Sequence, residues 1–340
     1  MIYRSKAPLR LGLAGGGTDV SPFSDEYGGA ILNATISLAA HASIEPLNEK
    51  EILLESLDQK QRQSFKWSKE LPINGELDLL KGVYNRISKD YSLPESGFKL
   101  STFVDAPAGS GLGTSSTLVV AIIGAFTEWL KLPLGDYDIA HYAYEIERND
   151  LKLAGGKQDQ YAATFGGVNF MEFYAADKVI VNPLRIRSQY LHELQNNIVL
   201  YFTSTSRESA TIIKEQQKNV NEKNAQSIEA MQQLKEQARM MKEALLKGRL
   251  NEIGEILDFG FRQKRLMAHN ISNNSIEDIY NGAKKAGAMG GKISGAGGGG
   301  FMIFYCPANT RYKVIETLNS FGGYCRDYQF TKHGLTTWTV

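Results

Sequence analysis

The feature that most constrains the fold is a glycine-rich run, Pro107 to Thr117, that leads directly into an apolar segment, Leu118 to Leu130. Glycines at 109, 111 and 113 allow positive φ angles and a close approach of the backbone to a ligand. A helix that begins after such a loop directs its free N–H groups and the positive end of its dipole toward the same point. The run therefore predicts an anion-binding loop at a helix start, with phosphate as its natural occupant.

A plain glycine turn before a buried helix is the alternative, but it would leave Thr114–Ser116 with no role except as caps. Two other phosphate motifs do not fit. A Walker A loop needs Lys and then Ser or Thr after its last glycine, and Gly113 is followed by Thr114. A dinucleotide-type glycine spacing occurs later in the chain, but it precedes the strand-like run Phe301 to Cys306, where that motif requires a helix.

Three segments together resemble the motifs of the GHMP kinases, the group of galactokinase, homoserine kinase, mevalonate kinase and phosphomevalonate kinase. Lys6–Val20 is similar to the family's first motif, Pro107–Thr117 to its phosphate loop, and Lys292–Phe301 to its third motif. The segments occur in the family's order. The resemblance implies an α+β two-domain fold, with a domain like ribosomal protein S5 domain 2 over residues 1–190 and a ferredoxin-like domain over residues 191–340.

The same resemblance implies a phosphotransferase that uses ATP and Mg²⁺. Ser115 and Glu147 match the family's Mg²⁺ ligands, Asp159 matches its base, and Arg10 matches the cation beside that base. From its position alone Asp159 is a helix cap, and whether it removes a proton or only positions the acceptor hydroxyl stays open. The residues expected to hold the ATP phosphates are those of the loop: Pro107, Gly109, Ser110, Gly111, Leu112, Gly113, Thr114, Ser115 and Ser116.

The acceptor implied by the resemblance is a sugar phosphate, and Asp19 stands where galactokinase-like members have His-Thr-Asp. The first motif looks most like that of members that phosphorylate the anomeric hydroxyl of D-glycero-D-manno-heptose 7-phosphate. A fucose-, galactose- or uronic-acid-type acceptor is the alternative, as is a non-catalytic sugar and nucleotide sensor. The expected acceptor contacts are Gly16, Gly17, Thr18, Asp19, Lys6, Lys157, Gly295, Gly297 and Gly298, with Arg4 and Arg207 as further cations for the acceptor's phosphate.

Composition and charge bear on the partners, the location and the metal content expected of the protein. A net charge of +1, from 38 basic and 37 acidic residues, argues against nucleic acid or an anionic membrane as a partner. No signal-peptide core or long apolar run occurs, so a cytoplasmic location is expected. The five histidines are scattered, which argues against zinc. A helix is predicted over residues 207–246, and its short apolar seam favours an internal helical hairpin over a dimer zipper, with a homodimer as the alternative.

Overall fold

The computed structural model describes residues 1–205 and 209–340. Within these ranges the strands are β1 (Tyr3–Ala14), β2 (Gly29–Pro46), β3 (Glu51–Ser56), β4 (Gln61–Lys66), β5 (Phe98–Val104), β6 (Val168–Phe173), β7 (Val179–Pro183), β8 (Ile198–Phe202), β9 (Gly290–Ile293), β10 (Phe301–Tyr305), β11 (Tyr324–Cys325) and β12 (Thr336–Thr339). The helices are α1 (Phe23–Tyr27), α2 (Asp78–Asp90), α3 (Thr114–Leu130), α4 (Asp136–Glu145), α5 (Gln158–Phe165), α6 (Ser188–Asn197), α7 (Ser209–Asn221), α8 (Ala225–Lys247), α9 (Ile253–Arg265), α10 (Asn274–Ala286) and α11 (Arg311–Asn319).

The larger sheet has the order β12-β1-β2-β5-β3-β4, and β6 and β7 extend it from β2. Only the β3–β5 pair is parallel among its described ladders. Residues 7–14 of β1 are all buried, so both faces of this strand are covered, as in the apolar strands of a sheet between two helical layers. Helices α3 and α8 both pack on β1 and β2. The Arg10 N–H of β1 donates to the Leu112 carbonyl at 3.2 Å, so the start of α3 lies beside Arg10.

The smaller sheet has the order β11-β8-β10-β9, with antiparallel pairing throughout. Its central strands β8 and β10 are buried at every position. Strand β12, at the end of the chain, returns to the larger sheet and pairs with β1. The chain passes from one sheet to the other between β7 and β8, and the division proposed near residue 190 falls within α6 and stays a prediction.

The helix predicted over residues 207–246 is two helices in its described part, α7 and α8. The chain turns at Lys223, whose φ of 54° lies in the left-handed region. Asn224 then caps α8, because its side chain accepts a hydrogen bond of 3.0 Å from the Ser227 N–H. The seam of α8 is buried, as a hairpin packed inside the molecule requires; its residues are Met231, Leu234, Ala238, Met241 and Leu245.

Candidate active site

The predicted phosphate loop lies between β5 and α3, as the sequence indicated. Gly109, Gly111 and Gly113 have φ angles of 71°, 81° and 79°, in the left-handed region that favours glycine. The first backbone bond of α3 runs from Thr117 N–H to the Gly113 carbonyl at 2.9 Å. The N–H groups of the three residues before Thr117 therefore precede the helix ladder and are available to an anion.

A cavity of about 270 Å³ lies over this helix start. Its walls come from the first-motif loop, the phosphate loop, the segment between α4 and α5, helices α7 and α9, and the third motif. The site residues predicted from sequence that line it are Arg10, Gly17, Asp19, Gly109, Gly111, Gly113, Thr114, Ser115, Ser116, Glu147, Asp159 and Gly295. Folding thus brings together residues from all three sequence motifs.

Arg10 joins the phosphate loop to the start of α5. Its Nε donates to Asp159 Oδ1 at 2.6 Å, and its Nη1 donates to the Gly111 carbonyl at 2.5 Å. The Arg10 side chain is 4% exposed and the Asp159 side chain 23% exposed, so the ion pair is buried on one side and open to the cavity on the other. The Asp159 carboxylate also lies against Gly113, where an added Cβ would come within 3.0 Å of it. The carboxylate is thereby fixed beside the anion-binding helix start.

Asp19 is a buried carboxylate held by backbone. Its Oδ2 accepts hydrogen bonds from the N–H groups of Lys157 at 2.8 Å and Gln158 at 3.0 Å. A Cβ at Gly156 would overlap the same carboxylate, so glycine allows the loop to wrap around Asp19. Burial raises the pKa of Asp19, and the Gln158 N–H opposes that shift. Asp19 also lines the cavity.

Glu147 lies in a π-helical turn, Ile146–Asp150, that follows α4 directly. Its Oε1 accepts from the Ser116 hydroxyl at 3.0 Å, and its Oε2 accepts from the Gln160 amide. Burial raises the pKa of the Glu147 carboxyl. Ser115, the hydroxyl matched to the family's metal ligand, lines the cavity with an exposed side chain, whereas the hydroxyl that contacts Glu147 belongs to Ser116.

Several predicted contacts do not reach the cavity walls. Lys6 is exposed on β1 between His41 and Thr336, so the expectation that it contacts the acceptor is not supported by its position. Lys157 is buried, its Nζ lies 2.8 Å from Asp177, and it is not among the residues that line the cavity. Arg4 is exposed on the same face of β1 as Lys6, and Arg207 lies outside the described residues.

Other predicted residues shape the loops instead of lining the cavity. The Thr18 hydroxyl donates to the Gly15 and Ala30 carbonyls. The Gly298 N–H donates to the Ile271 carbonyl at 2.9 Å. The remaining predicted residues outside the lining are Gly16, Pro107, Ser110, Leu112 and Gly297. These residues support the site through backbone geometry.

Two buried lysines of the site were not predicted. Lys264 lines the cavity, and its ammonium donates to the Gly295 carbonyl. Lys292 lies behind it and donates to the Gly12 carbonyl at 2.8 Å. Burial and the charge of Arg10 lower the pKa of Lys264 to about 8, and burial together with Lys264 lowers the pKa of Lys292 well below its ordinary value. Lys292 opens the third motif, but no pattern in the sequence singled out Lys264.

An ion-paired carboxylate beside an anion-binding helix start is an arrangement suited to phosphoryl transfer. The sequence matches the family "GHMP kinases N terminal domain" over residues 78–167 and "GHMP kinases C terminal" over residues 241–323. It is 47% identical to the D-glycero-alpha-D-manno-heptose 7-phosphate kinase of Campylobacter jejuni, over 99% of each chain. The chain belongs to the GHMP kinase family and is an ATP-dependent phosphotransferase.

Solved structures agree with this assignment. A D-glycero-D-manno-heptose 1-phosphate kinase from Bacteriodes thetaiotaomicron is 47% identical, with a TM-score of 0.85 and coverage of 99% of each chain. The galactokinase of Lactococcus lactis is 18% identical, with a TM-score of 0.78 over 98% of this chain and 95% of its own, and shows the fold alone. The predicted α+β GHMP kinase fold is confirmed. Among the described residues, no helix combines the length and apolarity needed to cross a membrane.

The buried charge of Glu147 leads to a stability prediction. Because its pKa is raised above 4.5, the ionised side chain destabilises the fold near neutral pH. Glu147→Gln removes this charge and keeps an amide that can bond to Ser116 and Gln160. We expect the variant to be at least as stable as the wild type near neutral pH. Its advantage should shrink as the pH falls through the raised pKa, because the wild-type carboxyl then takes up its proton.

Urea unfolding of both proteins at neutral and acid pH, with EDTA present, measures this difference. A variant that is clearly less stable near neutral pH would show that the carboxylate stabilises the fold, contrary to the expectation.

Proposed function

We propose that this chain transfers the γ-phosphoryl group of ATP to the anomeric hydroxyl of D-glycero-D-manno-heptose 7-phosphate, with Mg²⁺ as cofactor. The observation that carries the proposal is the Arg10–Asp159 pair, which lies beside the free N–H groups of α3 in one cavity. The heptose acceptor is supported by the identity with the Campylobacter jejuni kinase. The name of the solved relative gives heptose 1-phosphate instead, so both sugar phosphates belong in the test.

Asp159 is the group proposed to act on the acceptor hydroxyl. Arg10 holds its carboxylate in place, and the contact with Gly113 brings it next to the phosphate loop. A hydroxyl bound between Asp159 and the start of α3 would lie beside both a proton acceptor and the phosphoryl donor. An anomeric hydroxyl is more acidic than an ordinary alcohol, so less help from the base is needed.

The N–H groups of Thr114, Ser115 and Ser116 are proposed to bind oxygens of the triphosphate. Their helix is buried along most of its length, so water competes little for these donors. Asp19 is proposed to accept hydrogen bonds from sugar hydroxyls through its carboxylate at the cavity wall. The cavity then has a phosphate side, at α3, and a sugar side, at Asp19.

The residues present fit a Mg²⁺ ion. Glu147 offers a buried carboxylate, and Ser115 and Ser116 offer hydroxyls at the same helix start. Gln160 Oε1 is also buried there and has no hydrogen-bond partner among the described residues. All of these groups are oxygen donors, which Mg²⁺ prefers. Among the described residues, no cluster of three acidic, His or Cys side chains could hold a metal ion by itself. When bound with ATP, Mg²⁺ would neutralise charge on the phosphate oxygens.

The two serines provide a matched test of the metal proposal. If Ser115 is a ligand, as its match to the family implies, Ser115→Ala should raise the Mg²⁺ concentration needed for half-maximal activity. Ser116→Ala should act more weakly, through the orientation of Glu147. A titration of activity against Mg²⁺ compares the two variants. The assignment of Ser115 fails if its variant titrates like the wild type.

The acceptor is tested by coupled ADP release on a panel of sugars. The panel contains heptose 7-phosphate, heptose 1-phosphate, unphosphorylated heptose, fucose, galactose and glucuronate. We expect the highest kcat/KM with heptose 7-phosphate, and ³¹P NMR of the product should show a phosphate at the anomeric carbon. A higher kcat/KM with another sugar would identify that sugar as the acceptor instead. ATP binding without turnover of any sugar would favour the sensor alternative.

Asp159→Asn tests the role of the carboxylate. The variant keeps the shape of the side chain but removes the proton acceptor, so single-turnover phosphoryl transfer should slow by roughly 10²–10⁴-fold. Its thermal stability should stay close to that of the wild type. Asp150→Asn is the matched control, because Asp150 is bonded to Arg86 at 2.9 Å and does not line the cavity. A near-normal rate in a folded Asp159→Asn protein would remove Asp159 from the mechanism.

A further inference from the structure

Three cations lie close together beside the phosphate loop, and only one of them is paired with a carboxylate. Arg10 is paired with Asp159 at 2.6 Å. Lys264 and Lys292 are 3% and 4% exposed, and within the described ranges neither has a carboxylate oxygen within 4.0 Å. A Cβ built on Gly16 would lie 4.0 Å from the Lys264 ammonium and 3.7 Å from that of Lys292. Burial of neighbouring like charges is costly unless an anion joins them.

Of these two lysines, only Lys264 borders the cavity. It lies in the last turn of α9, where a lysine is usually solvated and interacts with the helix dipole. Here the side chain is buried and directed to the Gly295 carbonyl, the one acceptor it has among the described residues. An ammonium group has three donors. Two of them remain for a ligand.

The position of Lys264 indicates which part of the bound substrates its ammonium group can reach. The Gly295 carbonyl belongs to the third-motif turn, which touches the phosphate loop: a Cβ on Gly295 would come within 2.7 Å of the Gly111 Cα. The Lys264 charge also acts on Arg10, whose guanidinium holds Asp159. Lys264 therefore borders the place where the phosphoryl donor and the acceptor hydroxyl would meet.

We propose that Lys264 is a further catalytic residue, whose ammonium binds the phosphoryl group as it passes from ATP to the acceptor oxygen. The inference rests on the proposed kinase function and adds a cation to the catalytic groups of the site. In the transfer the bond between the γ-phosphorus and the ADP oxygen breaks, the bond to the acceptor oxygen forms, and the acceptor proton passes to Asp159 or to solvent. Charge on the phosphoryl oxygens is then stabilised by Lys264 and Arg10.

Lys264→Met tests the proposal, because it keeps the length of the side chain and removes the charge. We expect kcat to fall by about 10²–10³-fold, as for loss of one preorganised donor. The KM values for ATP and for the acceptor should change little, since the contact strengthens only during transfer. Lys264→Gln is the second variant, because its amide can still donate to a carbonyl. Thermal melts check that both variants fold.

Lys235→Met is the matched control. The Lys235 ammonium also donates to a single carbonyl, that of Tyr27, at 2.5 Å, and burial also lowers its pKa, but it does not line the cavity. This variant should keep the kinetic constants of the wild type. An unchanged kcat in folded Lys264→Met and Lys264→Gln would overturn the proposal. So would a raised acceptor KM at unchanged kcat, because Lys264 would then hold the acceptor's own phosphate.

The variants are compared with the wild type on whichever sugar of the panel turns over. The ratio of their kcat values therefore does not depend on which sugar is the acceptor. If no sugar turns over, binding of ADP with aluminium fluoride and Mg²⁺ replaces the kinetic readout, since this complex mimics the phosphoryl group in transfer. Lys264→Met should then weaken binding of the fluoride complex and leave binding of ADP unchanged. Equal binding of the complex by variant and wild type would overturn the proposal.

Discussion

The carbonyl of Gly111 is the point at which the three sequence motifs meet. It accepts a hydrogen bond from Arg10 of the first motif at 2.5 Å and another from the Ser294 hydroxyl of the third at 2.7 Å. Gly111 itself has a left-handed φ of 81° and lines the cavity. A Cβ at Gly111 would come within 2.6 Å of the Ser294 carbonyl, so the contact requires glycine. The geometry of the loop and the position of Arg10 therefore depend on each other.

The chemistry of the site follows from where this arrangement buries charge. Glu147 and Asp19 are buried carboxylates whose pKa values are raised, and Lys264 and Lys292 are buried ammonium groups whose pKa values are lowered. Buried ionisable groups with shifted pKa values are typical of functional sites, and three of these four line the cavity. The ion pairs among the described lining residues are Arg10–Asp159 at 2.6 Å and the longer Arg148–Glu147 pair at 3.7 Å.

Much of the site could be predicted from sequence because the motifs that form it are short, continuous segments. Glycine spacing before an apolar helix predicted the phosphate loop, and the resemblance to the family selected Glu147, which lines the cavity. The alternation of side chains along β1 gave a different answer from the motif comparison for two cations. Ser5 is buried, while Arg4 and Lys6 on either side of it share the exposed face of β1. Their positions explain why neither cation reaches the cavity.

The rest depends on tertiary packing or on unusual backbone. Lys264 resembles any lysine in the last turn of an amphipathic helix, and only the packing of α9 buries it. The turn between α7 and α8 contains neither glycine nor proline, and Lys223 adopts a left-handed φ there that sequence patterns do not signal. Likewise, whether Ser115 or Ser116 contacts Glu147 depends on the rotation of α3, which the motif does not specify.

The central claim is that the acceptor hydroxyl binds between Asp159 and the start of α3. A crystal structure with heptose 7-phosphate and a non-hydrolysable ATP analogue tests it most directly. The account predicts the anomeric oxygen at about 2.6–3.2 Å from an Asp159 carboxylate oxygen, with the γ-phosphate at the N–H groups of Thr114 to Ser116. An anomeric oxygen directed away from Asp159, or a triphosphate bound outside the loop, would contradict it.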